Sequence, residues 1–330
     1  MSKLRLSIVM GNYDRTRALV DGEVRIDGTD PIYMMLSPEE MFFRSFRDVA
    51  FDVSELSLST FAVKTADGSN PYVGVPVFPS RAFRHTSIHV RSDRGIERPL
   101  DLKGRRLGTP EYQLTASVWA RALLHDEYGV APSDVIWVRG GMEHPGRREK
   151  IPLQLPPDIR IEDAPDDLTL SQMLERGDID GIVGPRAPSC FERGHPKVRW
   201  LFADPSRSAA EYFERTRIFP IMHVLGVRRE LAERHPWLPM ALYKAFTAAK
   251  EIAVARLTDT SATKVTLPFV EEQLRAARDL MGLDFWSYGA GPNHHVLDKF
   301  LHHHHSQGLS GRRLKVDELF HPSTLESYKI

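Results

Sequence analysis

Short apolar strands alternate with helical segments along most of this 330-residue chain, and this alternation restricts the fold more than any other feature. Leu4–Met10 alternates like a strand, and Gly181–Val183 is a short apolar run of the same kind. Leu114–Tyr128 carries an apolar stripe at helical spacing and is followed by the terminator Gly129. Strands that alternate with helices predict mostly parallel sheets joined by right-handed crossovers, so the sequence predicts an α/β protein.

The positions of the longer strands predict how the chain is divided. The chain leaves a first unit near residue 88, and the apolar run Ile221–Val227 returns to it. Pro236 then opens a mostly helical C-terminal region. We therefore predict one lobe from residues 1–87 and 222–330 and a second from residues 88–221, joined by a hinge. This is the architecture of a two-lobed, periplasmic-binding-protein-like type II fold.

Composition excludes several classes of protein. Lys+Arg and Asp+Glu balance at 44 each, so no overall charge favours a nucleic acid or a membrane surface. No apolar stretch approaches the length that crosses a bilayer, and the N-terminus lacks a secretory signal pattern. The single cysteine, Cys190, cannot form an internal disulfide and fits a reducing compartment. We predict a cytoplasmic protein without nucleic-acid or membrane partners, and the sequence leaves a homo-oligomer open.

Two arginines lie just past apolar runs that are typical of buried strands. Arg15 follows the first strand in Asn12–Thr16, and Arg186 follows another in Val183–Pro188. Ligands of open α/β sheets bind beyond the carboxyl ends of the strands. Because the planar guanidinium grips a carboxylate with two parallel hydrogen bonds, the pair predicts a cleft that closes on a substrate with more than one carboxylate. The alternative for each is a solvated arginine.

Two histidines and one acid are the candidates for proton transfer. His223 lies inside an apolar run, where a buried core histidine is the alternative to a catalytic one. His85 leads into a strand predicted to line the cleft. Glu55 could be a base or the partner of a histidine, with a helix-capping acid as the alternative.

Further polar residues are candidates for binding an anion. Arg81 and Arg84 precede the predicted hinge strand, where a mixed surface turn is the alternative. Tyr112 and Thr115 lie at a strand-to-helix junction, where a hydroxyl and free backbone N–H groups can hold an anion, although Thr115 could simply cap the helix. The charged run 147–150 after a Gly-Gly turn could form a lid or a solvated face.

The histidines at 294, 295 and 302–305 raise the question of a metal site. Only pairs such as His302 and His305 share a helix face, and no carboxylate or cysteine at a known spacing completes a site. We therefore predict no metal site. Signatures of a P-loop, a dinucleotide fold, a nucleophile elbow, a zincin and an EF-hand are absent.

Six segments, in their order and spacing, resemble the 4,5-dihydroxyphthalate decarboxylase family, an enzyme branch of the binding-protein-like fold. They are Tyr13–Thr16, Pro110–Thr115, Gly140–Lys150, Asp180–Arg186, Pro220–His223 and Gln307–Leu309. The resemblance implies loss of one carboxylate from a dihydroxylated aromatic diacid, without a cofactor, to give a dihydroxybenzoate and carbon dioxide. The rival hypotheses are a non-catalytic solute-binding protein for an anionic small molecule and a different enzyme on the same scaffold.

Such a reaction needs an anchor for the retained carboxylate, a base at the phenol and a proton donor at the ring carbon. We assign Arg15 and Arg186 as anchors, His85 and His223 as proton carriers, and Glu55 as the orienting or basic group. The remaining candidates for contact with an aromatic acid substrate are Tyr13, Thr16, Ser57, Arg81, Arg84, Tyr112 and Thr115.

Overall fold

The computed structural model describes residues 3–149 and 151–325, which form two compact units. The first unit is built from the described parts of Met1–Arg81, Ile221–Asp298 and Leu314–Ile330, and the second from Ala82–Pro220 and Lys299–Arg313. From the sequence we expect the whole C-terminal region in the first lobe, whereas Lys299–Arg313 belongs to the second unit. The chain passes between the units after Arg81 and after Pro220, near residues 88 and 222, and again after Asp298 and after Arg313.

The described residues form eleven strands and eleven α-helices. The strands are β1 Leu4–Met10, β2 Thr29–Met35, β3 Val53–Ser57, β4 Tyr72–Val75, β5 Ile88–Arg91, β6 Arg106–Thr109, β7 Ile136–Arg139, β8 Arg160–Asp163, β9 Gly181–Val183, β10 Val198–Trp200 and β11 His223–Arg228. The helices are α1 Asp14–Val20, α2 Pro38–Asp48, α3 Leu58–Ala66, α4 Thr115–Tyr128, α5 Leu170–Arg176, α6 Ser189–Glu192, α7 Pro205–Thr216, α8 Arg229–Arg234, α9 Leu238–Leu257, α10 Val270–Met281 and α11 His294–Ser306.

Each unit is built around one sheet. The five-stranded sheet of the first unit has the order β2-β1-β3-β11-β4, and the six-stranded sheet of the second has the order β10-β5-β9-β6-β7-β8. Strands β1, β2 and β3 run parallel, as do β9, β6, β7 and β8. The exceptions are β11, antiparallel to β3 and β4, and β5, antiparallel to β9 and β10. Strands β5 and β11 are the first strands after the crossings that follow Arg81 and Pro220.

Local sequence explains most of the helix boundaries. Helix α2 begins where the Ser37 hydroxyl accepts a hydrogen bond from the Glu40 N–H (3.3 Å) and Pro38 occupies the first turn. Helix α4 ends at Gly129, whose φ of 65° is the left-handed conformation that glycine adopts without strain.

Strand β8 and helix α7 are among the elements that were not predicted from the sequence, as are the short helices α6 and α8. Strand β8 is largely polar, because it lies at the edge of its sheet and has little apolar signal. Helix α7 was missed although Asp204 caps it and Pro205 opens it. Within the described residues, no helix combines the length and apolar character that crossing a bilayer requires.

Candidate active site

Glu55 lies at the centre of the first unit's sheet and is fully buried. Strand β3 carries it between β1 and β11, so its carboxylate has no access to water. The N–H of Gly11, in the turn that follows β1, donates to Oε2 of Glu55 (2.8 Å). A side chain at position 11 would collide with the ring of Tyr13, so only glycine allows this close approach. A buried carboxylate is costly unless it is paired, and the partners of Glu55 are therefore informative.

The antiparallel register of β11 supplies the main partner. His223 pairs with Ser57 across the two strands, which places its side chain on the same sheet face as Glu55 and diagonal to it. The Nδ1 atom of His223 lies 2.5 Å from Oε1 of Glu55. Since a carboxylate only accepts hydrogen bonds, Nδ1 carries the proton. No described residue hydrogen-bonds Nε2, and the His223 side chain is 16% exposed.

Two aromatic rings complete the surroundings of this pair. The hydroxyl of Tyr13 donates to Oε1 of Glu55 (2.9 Å), the same oxygen that His223 contacts. Phe42 packs edge-on against the imidazole, with ring centroids 4.9 Å apart and planes at 82°. Glu55 therefore accepts three hydrogen bonds, and His223 is fixed from two sides.

The pKa shifts in this cluster follow from burial and from these contacts. Burial alone would raise the pKa of Glu55, but the hydrogen bond and charge of His223, with the Gly11 amide and Tyr13 hydroxyl, hold that pKa below its usual value. Burial first, and then the neighbouring Glu55, raise the pKa of Tyr13 well above its ordinary range. At neutral pH Glu55 is therefore a carboxylate, and Tyr13 is a neutral phenol that donates to it.

Arg15 joins the same cluster through Tyr13. Its guanidinium carbon lies 4.0 Å from the ring centroid of Tyr13 and 4.5 Å from that of Trp286. Its Nε donates to the carbonyl oxygen of Pro79 (2.5 Å), and Nη1 reaches Asp14 (3.2 Å). The cation is thus held by stacking and by hydrogen bonds at one edge, while Nη2 makes no hydrogen bond to a described residue. This geometry suits an end-on contact with a carboxylate.

Trp286 is a site residue that the sequence analysis missed. It is distant in sequence from Arg15 and lies in an irregular segment between α10 and α11, where neither strand nor helix periodicity draws attention to it. Its indole N–H donates to the carbonyl oxygen of Phe78 (3.0 Å). The available signal was the group of aromatic residues Phe285, Trp286 and Tyr288 in a short irregular segment.

Other predicted residues of the first unit have structural contacts. The Nη2 of Arg81 donates to Ser287 O (2.7 Å) and to the side chain of Asn293, and burial lowers the pKa of Arg81 to about 9. The hydroxyl of Thr16 caps its own turn through Tyr13 O (3.1 Å). Ser57 is buried next to His223 in the strand register. Substrate contact by these residues stays a prediction.

In the second unit, Arg84 is the most suggestive of the predicted anchors. It is 9% exposed, and burial lowers its pKa to about 10. Its Nη1 makes only a long hydrogen bond to Ser87 (3.4 Å), and its Nε has no hydrogen-bond partner among the described residues. A buried guanidinium without a neighbouring carboxylate suits a small anion. Arg186, in contrast, is exposed, and its role as an anchor stays a prediction.

The predicted anion site at the start of α4 already holds a carboxylate. The N–H of Tyr112 donates to Oε1 of Glu149, and Glu149 is mostly buried. Thr115 is the first residue of the helix and is buried. Arg147 pairs with Glu111, while Lys150 lies outside the described residues. The lid hypothesis for this charged run stays untested.

His85 lies in an aromatic cluster of the second unit and has no carboxylate partner among the described residues. Its ring packs on Phe202 (4.9 Å between centroids) and Tyr212 (5.6 Å), and neither ring nitrogen has a hydrogen-bond partner among the described residues. Burial, and then the charge of Arg215, lower the pKa of His85 to about 4. These surroundings favour His223 over His85 as the proton carrier.

The environment of His85 predicts a loss of stability in acid. The folded state holds the pKa near 4, below the unfolded value of about 6.5. Well above pH 6.5 the imidazole is neutral in both states. As the pH falls through 6.5 towards 4, the unfolded state takes up protons first and the folded state loses stability. Between pH 7 and pH 5 this amounts to about 2 kcal/mol. In a His85→Leu variant, the loss of unfolding free energy between pH 7 and pH 5 should be smaller by about 2 kcal/mol than in the unmodified chain. Urea unfolding at the two pH values measures this difference.

A matched control for this prediction is His144→Leu, which removes an exposed histidine of the same unit. This variant should keep the full pH dependence of the unmodified chain. Identical pH dependence of the His85 variant and the unmodified chain would contradict the buried neutral imidazole. His89, also buried with a pKa lowered to about 4 by burial, contributes to the pH dependence of stability in the same direction.

The structure thus brings together four of the predicted residues within one unit. Tyr13, Arg15, Glu55 and His223 form a continuous chain of contacts, which we call the Glu55 cluster. It contains a cation for a carboxylate, an oriented imidazole and a buried acid. These are the groups required for protonating a carbon of an anionic substrate.

Comparison with known proteins gives strong similarity over the whole length. A 4,5-dihydroxyphthalate decarboxylase of Comamonas testosteroni is 62% identical over 330 residues, covering 100% of both chains. A 4,5-dihydroxyphthalate decarboxylase of Pseudomonas putida is 60% identical over 213 residues, which are 64% of this chain and 83% of that protein. The NMT1/THI5 like family matches residues 82–147.

Solved structures support the fold. The periplasmic aliphatic sulphonate binding protein SsuA from Escherichia coli superposes with a TM-score of 0.55 at 14% identity, covering 100% of this chain and 96% of that one. A putative periplasmic sulfonate-binding protein from Methylobacillus flagellatus gives the same TM-score and identity, covering 98% and 93%. The predicted periplasmic-binding-protein-like fold is confirmed. Because the similarity to the Comamonas enzyme extends over the full length of both chains, this chain belongs to the 4,5-dihydroxyphthalate decarboxylase family.

Proposed function

We propose that this chain removes one carboxylate from 4,5-dihydroxyphthalate, releasing carbon dioxide and leaving a dihydroxybenzoate. The identity with the Comamonas enzyme supports the reaction. The observation that carries the assignment of residues is the 2.5 Å contact between Nδ1 of His223 and Oε1 of Glu55. It commits Nδ1 to the buried carboxylate and leaves Nε2 as the nitrogen that can exchange a proton with a substrate.

The substrate itself makes the reaction feasible. Direct loss of carbon dioxide would leave an unstable aryl carbanion. When the hydroxyl para to the departing carboxylate loses its proton, electron density reaches the ring carbon that bears this carboxylate, and an acid can protonate that carbon. The carbon–carboxylate bond then breaks, and its electron pair restores the aromatic ring. The phenolate oxygen then regains the proton it had lost. In sum, one proton replaces one carboxylate on the ring, and no electron is gained or lost.

In this reaction His223 supplies the proton to the ring carbon. The charged imidazolium is stabilised by the Glu55 carboxylate, which also fixes the tautomer and the orientation of the ring. Tyr13 and the Gly11 amide hold Glu55 in place. Arg15 binds the carboxylate that the product retains, because its guanidinium is already oriented by Tyr13 and Trp286.

A comparison of two substrates tests this function. With 4,5-dihydroxyphthalate in the presence of EDTA, we expect release of carbon dioxide and dihydroxybenzoate in equal amounts, measured by gas trapping and by ultraviolet absorbance. Phthalate keeps both carboxylates but lacks the hydroxyl that delivers electron density to the ring. It should therefore bind and inhibit competitively but release no carbon dioxide.

The outcomes separate the alternatives. Saturable binding of 4,5-dihydroxyphthalate without turnover would favour a solute-binding protein over an enzyme. Neither binding nor turnover would indicate another substrate. Release of carbon dioxide from phthalate at a comparable rate would contradict the role of the para hydroxyl.

A further inference from the structure

A second polar cluster lies in the second unit, formed by His125 and Asp126 near the end of α4 and His303 near the end of α11. Nδ1 of His125 is 2.9 Å from Oδ1 of Asp126, and Nε2 of His303 is 2.8 Å from Oδ2. One nitrogen or oxygen from each residue lies within 4.8 Å of the others. From sequence alone no metal site is expected at the C-terminal histidines, because no carboxylate or cysteine at a known spacing completes one. Asp126 supplies that carboxylate from 177 residues away.

We propose that His125, Asp126 and His303 bind a divalent transition-metal ion, with Zn²⁺ as the best match. Two imidazole nitrogens and one carboxylate oxygen are a common zinc donor set, with bonds of about 2.0–2.2 Å and a water as fourth ligand. The three side chains already converge, so small rotations would exchange the two hydrogen bonds for bonds to the ion. The alternative hard cations, Mg²⁺ and Ca²⁺, prefer sites made of oxygen atoms.

The electrostatics of the cluster favour a cation. His125 lies in the last turn of α4 and His303 in the last turn of α11, where the helix dipoles place partial negative charge. Lys299 already supplies a positive group, since its Nζ lies 3.2 Å from Oδ2 of Asp126. A bound metal ion would displace this ammonium. The Lys299 side chain is 36% exposed and can turn into solvent.

The three ligand side chains differ in exposure, and the more exposed ones leave a path by which an ion can enter. The His303 side chain is 4% exposed, that of Asp126 is 29% and that of His125 is 51%. The inner ligand is thus held by packing while the outer one faces solvent. Bound metal would cross-link two helices that are far apart in sequence and stabilise the second unit. The Glu55 cluster lies in the first unit, so the two groups of residues do not overlap.

Isothermal titration of the full chain with ZnCl₂, after removal of metals with EDTA, tests the proposal at pH 7.5. We expect one tight Zn²⁺ per chain and a higher melting temperature in its presence. Asp126→Asn and His125→Gln should each weaken the tight binding about tenfold or more. Lys299→Met, which removes the competing ammonium, should strengthen it several-fold, as judged from the same titration. His144→Gln, at an exposed histidine outside the cluster, should leave it unchanged.

The opposite signs of these effects separate a specific site from general binding to the many surface histidines. Equal Zn²⁺ affinity in the unmodified chain, Asp126→Asn and His125→Gln would overturn the proposal. A loss of Zn²⁺ affinity in His144→Gln as large as that in His125→Gln would also overturn it. Because His125 is largely exposed, its variant is expected to fold, and a failure of Asp126→Asn to fold would leave the test intact.

Discussion

Replacing His223 with glutamine is expected to lower kcat for carbon dioxide release by about 10²–10⁴-fold, the range that general acid–base catalysis contributes. Glutamine keeps a polar side chain of similar length but cannot carry a transferable proton. KM should change little, because His223 is assigned to proton transfer and not to binding. Steady-state kinetics with 4,5-dihydroxyphthalate, together with binding of phthalate to the same variant, would separate the two quantities.

Two further variants determine whether the effect is specific. His235→Gln makes the same change at a partly exposed histidine of the first unit and should leave kcat unchanged. Glu55→Gln keeps the size of the side chain but removes the charge that stabilises the imidazolium, so it should lower kcat by about 10² or more. Normal turnover in His223→Gln would remove His223 from the mechanism. Normal turnover in Glu55→Gln with a loss in His223→Gln would contradict only the orienting role of Glu55.

Much of the fold could be predicted because its signals are local. The alternation of β1, the terminator glycine of α4 and the Ser37–Pro38 start of α2 each depend on a few adjacent residues. The division into lobes near residues 88 and 222 stays a prediction, since it depends on how distant strands pair and not on adjacent residues. The polar edge strand β8 could not, since a strand buried on neither face need not show apolar alternation.

The residues of the Glu55 cluster could be predicted from the sequence, but their arrangement in space could not. Glu55, His223, Arg15 and Tyr13 were all candidates, together with eight others. Only the antiparallel placement of β11 beside β3 and its register bring His223 to Glu55, from 168 residues away. A shift of one residue would turn His223 to the opposite face of the sheet. From the sequence, His85 was as good a candidate for the proton carrier as His223. Only the aromatic surroundings of His85 in the structure distinguish the two histidines.

Contacts between residues far apart in sequence also explain why Trp286 and Asp126 were not predicted as members of a site. Each was inconspicuous in sequence because its partner lies on a distant segment. Arg15 contacts Trp286 only because the segment before α11 is hydrogen-bonded to Phe78, next to the Pro79 carbonyl that Arg15 also binds. Asp126 meets His303 only because two helices of the second unit end side by side. The sequence can therefore suggest which residue types form a site, but only the structure shows which distant residues come together.

Replacing Arg15 with methionine is expected to raise KM for 4,5-dihydroxyphthalate by about 10–100-fold, which corresponds to the loss of hydrogen bonds to a charged group. Methionine preserves the apolar length of the side chain and its packing on Tyr13 and Trp286, but it removes the cation. The KM of Arg15→Lys should lie between those of the unmodified chain and Arg15→Met, because an ammonium keeps the charge and loses the planar fork. Binding of phthalate, measured by calorimetry, should weaken in the same order and does not depend on turnover.

Arg17 provides the matched control, since it lies on the same helix, is exposed and pairs with Asp21. Arg17→Met should leave KM and phthalate affinity close to those of the unmodified chain, because exposed ion pairs contribute little and this one has no contact with the Glu55 cluster. Equal losses in Arg15→Met and Arg17→Met would point to a general effect of charge on α1. An unchanged KM in Arg15→Met would mean that the stacked guanidinium only supports Tyr13, and the carboxylate anchor would then have to be sought elsewhere, with the buried Arg84 as the next residue to replace.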